Sequence, residues 1–231
     1  LNLFSHFEGM VINENALLAN AKLTKQNQGL KTIFLRRFFS AFWAGDYNDA
    51  DKWLEIFTAL PTSKMPNVGL VHKTFYEGII AFHRNRNGEG EDWLEKGKKA
   101  LDKMEVWAES GCKAIFENKL YLLESEHYAS MCNIVASKES YELSVKTARD
   151  HGLVHEQGIA CELYGKFLLS ISDLDSSLWF QMAYRCYISW GATVKAERLW
   201  NDCNLGLVAK VSTSNELSLD KSKHGRDEEE A

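Results

Sequence analysis

LKTIFLRRFFSAFWAGDYNDADKWLEIFTALP, residues 30–61, is the stretch that decides the fold. Gly45 stands near its middle, with Ala50 five positions on and then Leu54 and Phe57. Apolar residues three and four apart share one face of an α-helix, so the second half predicts an amphipathic helix. A glycine at Gly45 suits the left-handed residue that closes a helix, which makes 30–44 a helix ending there. Pro61 ends the second helix, because proline lacks the N–H that a helix interior needs. Two helices joined by so short a turn pack antiparallel. The stretch therefore predicts a helical hairpin.

The same rhythm continues along the chain. Trp93, Gly97, Ala100, Leu101, Met104, Trp107 and Ala108 form one stripe, and Phe116, Leu120, Leu123, His127 and Met131 form the next. Ala160, Leu163, Phe167, Leu168 and Ile171 repeat it, as do Trp179, Met182, Ala183, Cys186, Tyr187 and Trp190. No segment alternates as a half-buried strand does. Breaks are expected at Asn27 to Gly29, Gly45-Asp46, 61–67, 85–90, Gly111, Asn133 to Ser137, Gly152, Ser172-Asp173 and Gly191. About ten helices follow, arranged as successive hairpins. The only prolines, Pro61 and Pro66, lie in one of these breaks.

Composition narrows the function classes. The net charge is −5 and mixed along the chain, which argues against a nucleic-acid stripe. Five cysteines, 112, 132, 161, 186 and 203, are far apart and contain no Cys-x-x-Cys pair, so neither a disulfide framework nor a zinc site is indicated. Free thiols in a reducing, cytoplasmic setting are the expectation. No apolar run reaches the roughly 18 residues of a membrane span, and no secretory leader is recognisable. A chain opening on Leu1 reads as a piece of a longer polypeptide.

No catalytic motif is present. A phosphate loop needs Gly-x-x-x-x-Gly-Lys-Ser/Thr, whereas the glycine-rich NRNGEGEDW (85–93) lacks the lysine and reads as a hairpin loop. His151 and His155 are four apart, but Gly152 interrupts the helix that would align them as metal ligands. His127 on an apolar face reads as a hydrogen-bonded core histidine. Glu124 and Glu126 point to different sides of a helix, which disfavours an acid–base pair. Arg36-Arg37 with Phe38-Phe39 and Trp43 is confined to one helix, too short for a stacking platform on nucleic acid. No catalytic, cofactor or metal residue is expected, and no cofactor.

The hairpin 30–61 resembles a tetratricopeptide repeat, in which a small alanine, here Ala50, lets two helices approach and a proline ends the unit. Tyr141, Val145 and Ala148 follow the same spacing. WAESGCKAIFENKLYLLESEHYA (107–129), SYELSVKTARDHGLVHEQGIACELYGKFLL (140–169) and AYRCYISWGATVKAERL (183–199) are similar to successive blocks of the helical-repeat region that follows the AAA-type ATPase module in large multidomain signalling proteins. Those proteins typically combine a serine/threonine-kinase-like domain, the ATPase, this region, GAF sensors and often a histidine kinase. The resemblance covers roughly 28–204. Its specific elements are Ala148-Arg-x-x-Gly152, Glu162-Leu163 and Tyr187-x-x-Trp190-Gly191-Ala192. It departs at Cys112-Lys113-Ala114, where relatives tend to carry a proline–asparagine turn.

The resemblance implies an all-α, right-handed superhelix of antiparallel pairs over 13–204. The end of a preceding element would occupy 1–12; the tail 205–231 has no counterpart in the resemblance and reads as disordered and acidic from its own composition, few apolar residues and a final acidic run. Gly45, Ala50, Trp107, Ala148, Gly152, Glu162, Tyr187, Trp190 and Gly191 would be its structural signature. It also implies a non-catalytic interaction and coupling module whose partners are neighbouring domains or a peptide, with no nucleic acid and no membrane. The alternative is a sensor whose groove binds an effector that regulates the ATPase or kinase. The aromatic cluster 187–200 reads as a packed corner, with Tyr187 and Trp190 in the core and Gly191 closing the helix.

Overall fold

The structure is a computed structural model, and it describes residues 14–24, 27–60 and 67–203. Among the described residues there are ten α-helices and no strand. The expectations for 1–12, for Pro61 and Pro66 and for the tail 205–231 lie outside them. The chain divides between Ser140 and Tyr141 into two compact units.

The first unit holds α1 (Glu14–Leu23), α2 (Asn27–Trp43), α3 (Tyr47–Ala59), α4 (Asn67–Arg86), α5 (Glu91–Ser110), α6 (Lys113–Ser130) and the start of α7 (Ile134–Asp150). Between α2 and α3 the chain turns at Gly45, and the Asp46 carboxylate accepts the Asp49 N–H at 3.0 Å. An aspartate there satisfies one of the open N–H groups of a helix start. Phe34 and the Arg37 guanidinium both lie on the Trp53 ring, at 5.8 and 4.3 Å, which seats α2 on α3. Arg37 is buried in this contact, consistent with a packing role for the Arg36–Trp43 run. Close approach also sets the next pair. The α-carbon of Gly97 lies so near the Phe82 ring that a β-carbon would come within 2.6 Å, and Gly78 faces Ala100 in the same way. Pairing 82 with 97 and 78 with 100 means that α4 and α5 run antiparallel. Leu122 and Leu123 of α6 complete this core.

The second unit holds the rest of α7 with α8 (Val154–Ser170), α9 (Ser176–Trp190) and α10 (Thr193–Asp202). Gly158 faces Tyr187 and Gly165 faces Phe180, so α8 and α9 are antiparallel and closely apposed. Tyr141 of α7 stacks on Tyr164 of α8 at 4.9 Å. Tyr184 of α9 meets Trp200 of α10 at 5.0 Å.

Two expected breaks are corrected. Asn27 to Gly29 is the first turn of α2, and α7 begins at Ile134, so Val135 to Ser137 are helical. Small and polar residues there suit a helix start as well as a loop. Asn133 accepts the Ala136 N–H, and buried Ser137 donates to the Ser125 carbonyl at 3.0 Å. The first is a local use of a polar side chain that the composition of a loop imitates, and the second ties α7 to α6. No helix among the described residues is long and apolar enough to cross a membrane.

Candidate functional site

In α8 almost every residue from Ile159 to Leu168 is buried, and Glu162 is an acid in the middle of that run. Burying a carboxylate is costly unless charge and hydrogen bonds compensate it. Three side chains do so. The Tyr187 hydroxyl of α9 donates to Oε2 at 2.7 Å. Lys166, one turn further along α8, donates to Oε1 at 2.7 Å. Lys195 of α10 reaches Oε1 at 3.1 Å and Oε2 at 2.8 Å.

Burial alone pushes the Glu162 carboxyl up, but the two ammonium groups and their hydrogen bonds outweigh it and hold the carboxyl well below the usual carboxylate range. Burial draws the Lys195 ammonium down, with Glu162 opposing. The pair is ionised at neutral pH. A carboxylate so reluctant to accept a proton, with both oxygens engaged, is a poor general base. What the arrangement does is tie α8, α9 and α10 together at one point.

Thiols surround this clamp. Cys161 is buried beside Glu162, and Cys186 beside Tyr187 is half-buried. The two are in hydrogen-bonding contact. Cys203 is pushed up to about 11, by burial first and then by the Glu162 charge.

The corner beyond Tyr187 closes as a Schellman turn. Gly191 has φ 87°, its N–H reaches the Ile188 carbonyl at 3.0 Å, and the Ala192 N–H reaches the Tyr187 carbonyl at 2.8 Å. Tyr187 is fully buried, whereas Trp190 is 47% exposed, which corrects its expected place in the core. The reason is its position at the end of α9. Alongside it α8 is only beginning, and the His155 ring, at 5.2 Å and 26°, covers one face.

The other signature residues are distributed along the fold and do not converge. Gly45 and Gly152 occupy left-handed turns, at φ 74° and 68°. Ala50 and Ala148 are fully buried on α3 and α7. Trp107 meets Phe116 across the α5–α6 turn at 6.3 Å, and its carbonyl accepts the Gly111 N–H. Only Glu162 and Tyr187 share a site.

The candidate ligands separate too. His155 lies on Trp190, with Nε2 at 3.5 Å from the Glu156 carboxylate, and His151 is exposed past the end of α7. No group of three His, Cys, Asp or Glu among the described residues could hold a metal ion. Glu126 is buried and pairs with Arg86 at 2.6 Å. Glu124 is raised by burial and then by Glu105. His127 is half-buried against Phe82, which corrects its expected place in the core, and its Nδ1 has no hydrogen-bond partner among the described residues. Its proton affinity is lowered by burial and then by Lys98.

Sequence reasoning missed one charged network. Arg84 lies over Trp93 at 4.7 Å, donates to Asn48 at 3.0 Å and pairs with Asp51 at 3.7 Å, and Lys96 joins Asp51 at 3.4 Å. These residues are spread over α3, α4 and α5, so no local spacing announces them. Comparison with family models, with curated proteins and with solved structures finds no match to this chain.

Proposed function

We propose that residues 13–204 form a non-catalytic helical-repeat module that couples neighbouring domains of a cytoplasmic, multidomain ATPase/kinase signalling polypeptide. Its helix pairs would continue as a right-handed superhelix of tetratricopeptide-like repeats, whose extended face holds a neighbouring domain or a peptide. Nucleic acid and membrane have no part in it.

One observation carries the reading. Glu162 and Tyr187, two residues of the resembling blocks, meet at 2.7 Å inside the second unit. The polar groups of those blocks are engaged in holding helices to one another, with Lys195 and Lys166 completing the set. Antiparallel pairs apposed at glycines, α4 with α5 and α8 with α9, are the building element such a module needs.

Calorimetric titration of the 231-residue chain with magnesium ATP tests the non-catalytic part. No saturable heat is expected. Stoichiometric nucleotide binding would overturn it, because the phosphate-binding loop of the parent polypeptide would then not be required elsewhere.

A further inference from the structure

The two thiols at the α8–α9 contact are used by nothing described so far. Cys161 lies one turn after Gly158 on the buried face of α8. At Gly158 the helices are so close that a β-carbon would sit 3.2 Å from the β-carbon of Cys186. A disulfide needs α-carbons within about 7 Å, and helices apposed at a glycine approach closely enough to allow it. Cys161 and Cys186 stand 25 residues apart in sequence, yet the close approach at Gly158 brings them to neighbouring turns of the α8–α9 contact.

We propose that Cys161 and Cys186 are an oxidative modification site, converted by a hydroperoxide into a reversible disulfide that clasps α8 to α9.

The two thiols have unequal parts. Cys186 is half-buried and the more accessible of the two, whereas Cys161 is buried. The hydrogen bond from Cys161 lowers the proton affinity of Cys186, and the same bond together with burial raises that of Cys161. The thiolate is the nucleophile, so Cys186 reacts first. Its sulfur attacks the outer oxygen of the hydroperoxide, the O–O bond breaks, and the departing alkoxide takes a proton to become an alcohol. Cys186 is now a sulfenic acid. The Cys161 sulfur then attacks the Cys186 sulfur, the S–O bond breaks, and hydroxide leaves with the Cys161 proton as water. Two thiols and one hydroperoxide give one disulfide, one alcohol and one water. Cys203, held protonated by burial and the Glu162 charge, takes no part.

The test uses the 231-residue chain carrying Cys112→Ser and Cys132→Ser, which removes the two exposed thiols. It is treated with a small excess of hydrogen peroxide, quenched in acid, alkylated and mapped by peptide mass. The expected result is a fall from three free thiols to one, with a cross-linked peptide joining 161 to 186. Dithiothreitol should restore all three. Cys203→Ser must keep the cross-link, and this variant leaves the α8–α9 contact untouched. Cys186→Ser, with its helical circular dichroism checked, must leave Cys161 reduced after the same treatment. Retention of all three thiols would overturn the proposal. So would over-oxidation of Cys186 beside a free Cys161, or a 186–203 cross-link.

Discussion

Replacing Glu162 with glutamine keeps the shape of the side chain and removes its charge. The Tyr187 hydroxyl can still donate to the amide oxygen, so that bond is largely kept. The amide nitrogen, however, now faces the ammonium groups of Lys195 and Lys166, donor against donor. Lys166 is about half exposed and its pairing is screened, so its share is at most ~1 kcal/mol. Lys195 is only 14% exposed and loses a charge-assisted bond worth about 1.5–3 kcal/mol. Breaking a fully buried pair from one side costs about 3–5 kcal/mol, and the small exposure of Lys195 trims that figure. Together, Glu162→Gln should destabilise the second unit by about 3 kcal/mol.

Urea unfolding gives the total, and amide hydrogen exchange locates it, since protection reports local opening. Protection should fall in α8, α9 and α10, with α2 to α5 unchanged. Converting all three buried partners to apolar residues, Glu162→Leu with Lys195→Met and Tyr187→Phe, should recover all but about 1 kcal/mol of the loss, because neither a charge nor the Tyr187 hydroxyl is then stripped of its partner. A single-variant effect below about 0.5 kcal/mol would refute the clamp, since that is the range of an ordinary surface substitution.

The remaining expectations concern the same region. Glu162 has a lower proton affinity folded than unfolded, so its contribution is complete above the ordinary carboxylate value of about 4.3 and is lost progressively as pH falls from there through the folded value; urea midpoints of wild type and Glu162→Gln should begin to approach each other below about pH 5 and still differ at about pH 3. Trp190→Ala should cost roughly 2 kcal/mol, about half the ~3–5 of a fully buried aromatic, because half of its surface is already in solvent. Gly158→Ala places a β-carbon 2.6 Å from the Tyr187 ring and should cost about 1–3 kcal/mol by urea unfolding. A neutral result there would show that α8 and α9 are free to separate.

Much of the helix order was readable from residue spacing. Of the α5 stripe in the sequence, Gly97, Ala100, Met104 and Ala108 are buried in the structure and Trp93, Leu101 and Trp107 flank them half-buried, because a helix face depends only on residues three and four apart. Gly45, Gly152 and Gly191 marked turns for an equally local reason. Long-range facts were harder. Trp190 continues the apolar stripe of α9, but whether a partner covers it depends on where α8 begins, which spacing on α9 does not encode. The Glu162 clamp brings together residues up to 33 positions apart, and the Arg84 network joins side chains from three helices. Neither has a local pattern. The resemblance pointed to Glu162 and Tyr187 separately, without their contact.

ATP turnover by the proposed parent polypeptide, measured with residues 28–204 present and with them deleted, tests the proposed coupling role most directly. A coupling module predicts that deletion changes turnover, or its response to effector, several-fold while the nucleotide Kd stays the same. Identical turnover and response in the two proteins would contradict it, as would a parent polypeptide with no ATPase module to couple.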